Sequence, residues 1–95
     1  MVMEIQVLKN KVTPILRKAG VRRAALFGSV ARSQDRSSSD IDILVELNEQ
    51  FSLLDFVDLK YKLEASLNRK VDMVEYGAIK KSIRENVLAD QVMIY

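Results

Sequence analysis

Residues 26–47 read LFGSVARSQDRSSSDIDILVEL, and the last eight of them decide the fold. In Asp40-Ile41-Asp42-Ile43-Leu44-Val45-Glu46-Leu47 the residue types alternate. Ile41, Ile43, Val45 and Leu47 fall on one side of an extended chain, and Asp40, Asp42, Leu44 and Glu46 on the other. A strand over 40–47 with one apolar face is the expectation. Just upstream, residues 21–27 (VRRAALF) run straight into Gly28 and read as a second strand, and Ser33 to Ser39 form a polar loop.

Farther out the pattern changes period. Ile5, Leu8, Val12, Ile15 and Leu16 keep the spacing of one helix face over residues 3–19, and Gly20 suits its C-terminal cap. Pro14 predicts a kink in that helix. The alternative is two short helices, with Thr13 as N-cap and Pro14 at the first helical position. Ser52 and Asp55 resemble a capping box, after which Leu53, Phe56, Val57, Leu63 and Leu67 continue a helix to about Asn68. A third strand is expected at 71–76 (VDMVEY). Gly77 interrupts it, Ile79, Ile83 and Val87 mark another helix face, and VMIY at 92–95 reads as an edge strand. Helices and strands in this order specify an α/β domain over 1–95: a small mixed sheet with helices packed against it.

Composition narrows the chemistry. The 95 residues are 48% hydrophobic and 29% charged, the balance of a soluble globular domain. No apolar run is long enough to cross a membrane and no secretory signal is visible at Met1-Val2-Met3-Glu4, so the cytoplasm is the expected location. With no Cys and no His, thiol nucleophiles, thiolate zinc sites and imidazole bases are excluded. The work falls to Asp, Glu, Lys, Arg, Tyr or a hydroxyl, with a hard metal ion on oxygen ligands as the expectation. A net charge of +2 is too balanced to argue for direct nucleic-acid binding.

Three features carry candidate chemistry. Asp40 and Asp42 stand at i and i+2 of a strand, on one face, where they repel unless a cation such as Mg²⁺ lies between them. The plainer reading is a turn residue and a solvated strand charge. Gly28-Ser29 follows a strand, so phosphate oxygens can approach the backbone and the hydroxyl can donate to them; alone it is a common turn. Asp72 lies between Val71 and Met73 on the third strand, a costly place for a carboxylate without compensation. Beside strand 40–47 it would join Asp40 and Asp42 as a further metal ligand or a general base; otherwise it pairs with Arg69 or Lys70. Tyr61, Tyr76 and Tyr95 read as packing residues, and Arg22-Arg23 and Lys80-Lys81 as solvated faces.

Taken together, LFGSVARSQDRSSSDIDILVEL and the later Val71-Asp72 resemble the minimal nucleotidyltransferases, a compact branch of the DNA polymerase beta superfamily. The resemblance implies their fold. It implies that Gly28 and Ser29 form the triphosphate-binding turn, that Asp40 and Asp42 are paired metal ligands, and that Asp72 is the third carboxylate. Arg32 falls where the family has a basic residue near the phosphates, and Ser39 sits where it would steady Asp40. Ser33 stands where the family usually has Gly, a departure that touches loop geometry and no metal ligand.

The activity so implied is transfer of AMP from ATP, with one or two Mg²⁺ ions. Stand-alone domains of this size resemble the antitoxins of toxin–antitoxin pairs whose toxin is a HEPN-domain ribonuclease, and these are thought to adenylylate a tyrosine of the toxin. Such a partner, in a hetero-oligomer or beside a homodimer, would supply the acceptor surface this chain lacks. The rival is a binding module that neutralises its partner by occlusion with little catalysis.

Overall fold

The computed structural model describes residues 5–28 and 40–95. Along the chain these form α1 (Ile5–Ala19), β1 (Arg23–Phe27), β2 (Ile41–Glu46), α2 (Leu53–Leu67), β3 (Val71–Glu75), a 3-10 turn (Tyr76–Ala78), α3 (Lys81–Asp90) and β4 (Val92–Met93). The strands make one mixed sheet in the order β3-β2-β1-β4. β1 pairs antiparallel with both β2 and β4, whereas β2 and β3 are parallel and joined by α2 as the crossover. The expected α/β class and mixed sheet are thus present.

α1 is one continuous helix with Pro14 inside it. The Thr13 hydroxyl donates to the Lys9 carbonyl at 2.6 Å, a bond made within a helix, so Thr13 does not cap a second one. At the other end Gly20 takes φ +88°, and Gly20 N and Val21 N donate to the carbonyls of Arg17 and Leu16, both at 3.1 Å. These two bonds form a Schellman cap, which turns the chain into β1. The capping box of α2 is complete: Asp55 N donates to Ser52 Oγ at 3.1 Å and Ser52 N to Asp55 Oδ2 at 3.0 Å. Those bonds hold the Asp55 carboxyl below its ordinary pKa.

One face of the sheet carries the main core. Leu8, Val12 and Leu16 of α1 meet Leu59, Leu63 and Leu67 of α2 over Leu26, Ile41, Ile43 and Val45. Here the sequence reading of α2 needs correction: Leu53 is 78% exposed and Leu59 belongs to the core instead. The capping box places Leu53 in the first turn, ahead of the part of α2 that covers the sheet.

The opposite face is also covered, so β2 has two buried sides rather than one. Leu44, Ala25 and Ile79 form a second, smaller cluster, with Val87 and Leu88 of α3 against it. Ile79 precedes α3 rather than lying on it, and Ile83 is exposed, so the helix face expected from residues 79, 83 and 87 shrinks to its last member. β1 starts at Arg23, two residues later than expected, because the Schellman cap engages Val21. The edge strand is short, but Ile94 N and Tyr95 O continue its pairing to Ala24 at 2.8 and 3.1 Å. The Tyr95 hydroxyl donates to the Val21 carbonyl at 2.8 Å, and burial raises its pKa. No described helix is long and apolar enough to cross a membrane.

Candidate active site

The strand register arranges the second face of the sheet in three rows. Arg23 and Glu46 are cross-strand partners at one end, with Arg23 Nε 3.7 Å from Glu46 Oε2. The same guanidinium lies 4.1 Å from the Tyr76 ring centre, and the Tyr76 hydroxyl donates to Gln91 Oε1 at 2.9 Å. The middle row, Ala25, Leu44 and Val74, is apolar. The third row is Phe27, Asp42 and Asp72.

This last row is where the expected site residues meet. Parallel pairing sets Asp42 directly beside Asp72, on strands about 4.8 Å apart. Two bonds donated by backbone amides hold that end of the sheet. Ile41 N donates to the Lys70 carbonyl at 2.9 Å, and Val71 N donates to Glu64 Oε2 at 2.9 Å. Glu64 is therefore a residue that sequence reasoning missed: a carboxylate on α2 fixes the strand start that carries Asp72. No local pattern signals it, because the contact spans the α2–β3 turn at Asn68, itself in the left-handed conformation.

Gly28 closes the row from the β1 side. Its φ is +72°, a conformation that favours glycine. A Cβ there would also collide with Asp42 Oδ2 and sit 3.2 Å from Asp42 Cγ. The glycine thus leaves room for a carboxylate fourteen residues away.

Of the residues expected in the site, the structure brings Gly28, Asp42 and Asp72 together. Asp40 is exposed one residue ahead of β2, on the chain that leads into the row. Ser29, Arg32 and Ser39, with Ser33, lie outside the described residues. Among the described residues no three acidic side chains converge closely enough to cage an ion alone. The neighbouring carboxylates of Asp42 and Asp72 nonetheless form a donor set of hard oxygens, the type that suits Mg²⁺ shared with phosphates. A cleft of about 640 Å³, lined by Ile15, Lys18, Asp58 and Lys62, lies between α1 and α2 instead. Its Asp58 and Lys62 neutralise each other at 2.9 Å, and it opens on the other side of the sheet, so cleft size is the poorer guide to the chemistry here.

Comparison with known proteins agrees with this geometry. Residues 10–95 match the family model described as polymerase beta, nucleotidyltransferase. A Methanocaldococcus jannaschii protein provisionally named a protein adenylyltransferase is 48% identical over 90 residues, covering 95% of this chain and 97% of its own. The protein adenylyltransferase MntA of Thermococcus cleftensis is 41% identical over 75 residues, covering 79% and 76%. Among solved structures, one provisionally identified as a minimal nucleotidyltransferase superposes with a TM-score of 0.82 at 35% identity, covering 95% of each chain. A toxin–antitoxin crystal structure with AMP-PNP superposes with a TM-score of 0.79 at 25% identity, covering 92% of this chain and 72% of that one. The matched residues include β1, the turn at Gly28 and both aspartate-bearing strands, and on that footing the chain belongs to the polymerase beta nucleotidyltransferase family.

Proposed function

We propose that this chain is a Mg²⁺-dependent protein adenylyltransferase that moves AMP from ATP to a tyrosine hydroxyl of a cognate HEPN-type ribonuclease toxin. It acts in the cytoplasm, with residues 1–95 as a single nucleotidyltransferase domain, and serves as the antitoxin. The observation that carries the reading is the row in which Asp42 stands beside Asp72 and against Gly28. Support comes from relatives named protein adenylyltransferases and from the similar toxin–antitoxin structure with AMP-PNP.

In this reading Asp40 and Asp42 hold Mg²⁺, and Asp72 is a further ligand or the base. When bound, the ion supplies charge neutralisation at the phosphates. Gly28 and Ser29 receive the triphosphate, Arg32 lies near it, and Ser39 steadies Asp40. The acceptor oxygen bonds to the α-phosphorus, the bridging bond to the β-phosphate breaks, and pyrophosphate leaves with the electron pair. As base, the Asp72 carboxylate takes the hydroxyl proton. Its exposure on β3 leaves it accessible to an acceptor brought by another protein.

Intact-mass spectrometry tests the reading. The wild-type chain with ATP and Mg²⁺ should make the partner heavier by one or more AMP units, and the mark should outlast separation of the proteins. The Asp40→Ala/Asp42→Ala double variant should leave the partner unmodified. An unmodified partner with wild type, together with equal protection of cells by both proteins, would establish occlusion instead.

A further inference from the structure

We infer that Gly28 is a positioning residue for Asp42: the glycine is the seat of the Asp42 carboxylate, and it serves catalysis through that carboxylate rather than only by admitting phosphate. This rests on the proposed role of Asp42 as a metal ligand. The observation is steric. An ideal Cβ at Gly28 would collide with Asp42 Oδ2 while lying 3.2 Å from Cγ and 3.5 Å from Cβ of the same side chain. The overlap is thus greatest at the terminal oxygen, so the carboxylate would give way by rotating and the sheet would not have to open. A methyl group at Gly28 would therefore leave the fold largely in place and expel the oxygen from the position it holds against Gly28. The left-handed backbone at Gly28 adds a separate penalty to any L side chain, one independent of Asp42.

That independence separates the seat from a phosphate cradle. The binding of Mn²⁺ with AMP-PNP would be measured by titration calorimetry for wild type, Gly28→Ala, Asp42→Ala and the double variant. A seat predicts that Gly28→Ala weakens binding about tenfold or more when Asp42 is present and by less than about twofold when it is absent. A cradle for phosphate alone predicts the same loss in both backgrounds, and that result would overturn the inference.

Steady-state kinetics give a second readout. Gly28→Ala should lower kcat as well as raise KM for ATP, whereas a raised KM with kcat retained would count against the seat. Should Gly28→Ala fail to fold, recovery of a cooperative melt in the double variant would support the collision, and failure in both would make the left-handed backbone the dominant cause and overturn the collision as that cause. If wild type binds no Mn²⁺ with AMP-PNP, the proposed function fails rather than the seat. The crystal structure of Gly28→Ala then decides: a rotated Asp42 supports the inference, and an unmoved one refutes it.

Discussion

The two faces of the sheet differ in what they are made of. Among the described residues, fifteen buried hydrophobic side chains cluster on the face that α1 and α2 cover, whereas the cluster beneath α3 has three, bounded on one side by Arg23 and Glu46 and on the other by Asp42 and Asp72. Burial of apolar surface contributes roughly 25 cal/mol per Å², so the first face supplies most of the folding free energy. The second can therefore keep adjacent carboxylates, which oppose folding slightly and are useful only with a cation and phosphates. Stability and chemistry are divided between the two sides of β2.

The comparison can be broken most forcefully at Leu63, which is fully buried between α2 and the sheet. Leu63→Ala should destabilise the protein by about 2–5 kcal/mol through lost burial and the cavity left behind. For a domain of this size that is a large share of a total near 5–15 kcal/mol. Urea denaturation would measure it, and a loss below about 1 kcal/mol would mean that the α1/α2 face does not dominate. Tyr95→Phe should act on the same side but more weakly. It removes the hydrogen bond to the Val21 carbonyl and keeps the ring under Arg17, whose guanidinium lies 4.4 Å from the ring centre. A loss of about 0.5–1.5 kcal/mol is expected by the same measurement.

Smaller still is the response to acid at the start of α2. The folded protein lowers the Asp55 pKa from 3.8, mainly through the Ser52 backbone N–H and then its hydroxyl. The unfolded chain therefore binds this proton more readily, and the capping box contributes stability that is full above about pH 4 and lost as pH falls through the lowered value. Thermal melts from pH 5 down to pH 2 should show Asp55→Asn, which has no titrating carboxyl there, losing less melting temperature than wild type over that window. Parallel curves would disprove the linkage.

Much of this division was written in the local pattern. The alternation at 40–47 located β2 and named Ile41, Ile43 and Val45 as its core face, and the Ser52–Asp55 pair located the start of α2. Leu44 looked like a stray apolar residue on the polar side because its cover, Ile79, lies thirty-five residues away in a stretch that reads as helix. The Asp motif was legible as chemistry, and Asp72 as its partner on condition that the two strands are neighbours; the register was not legible. Parallel register depends on the whole crossover, so the match of Asp42 to Asp72 appears only once α2 has returned the chain. Glu64 and the Asp42 side of Gly28 were hidden for the same reason: both are contacts between elements.

The sharpest form of the comparison is a substitution with almost no effect on stability and a large one on activity. Asp72 is exposed on β3 and stands beside Asp42, so Asp72→Asn removes a charge that its neighbour opposes and buries no new polar group. At this spacing in water the repulsion is on the order of 1 kcal/mol or less. The folding free energy in metal-free buffer should therefore change by no more than about 0.5 kcal/mol, and in the favourable direction if at all. Transfer of AMP should fall by about 100-fold or more, because asparagine neither accepts the acceptor's proton nor offers an anionic oxygen. Denaturation and transfer assays on one preparation read both quantities. A loss of stability as large as that of Tyr95→Phe would make Asp72 part of the fold, and retained transfer would take it out of the chemistry.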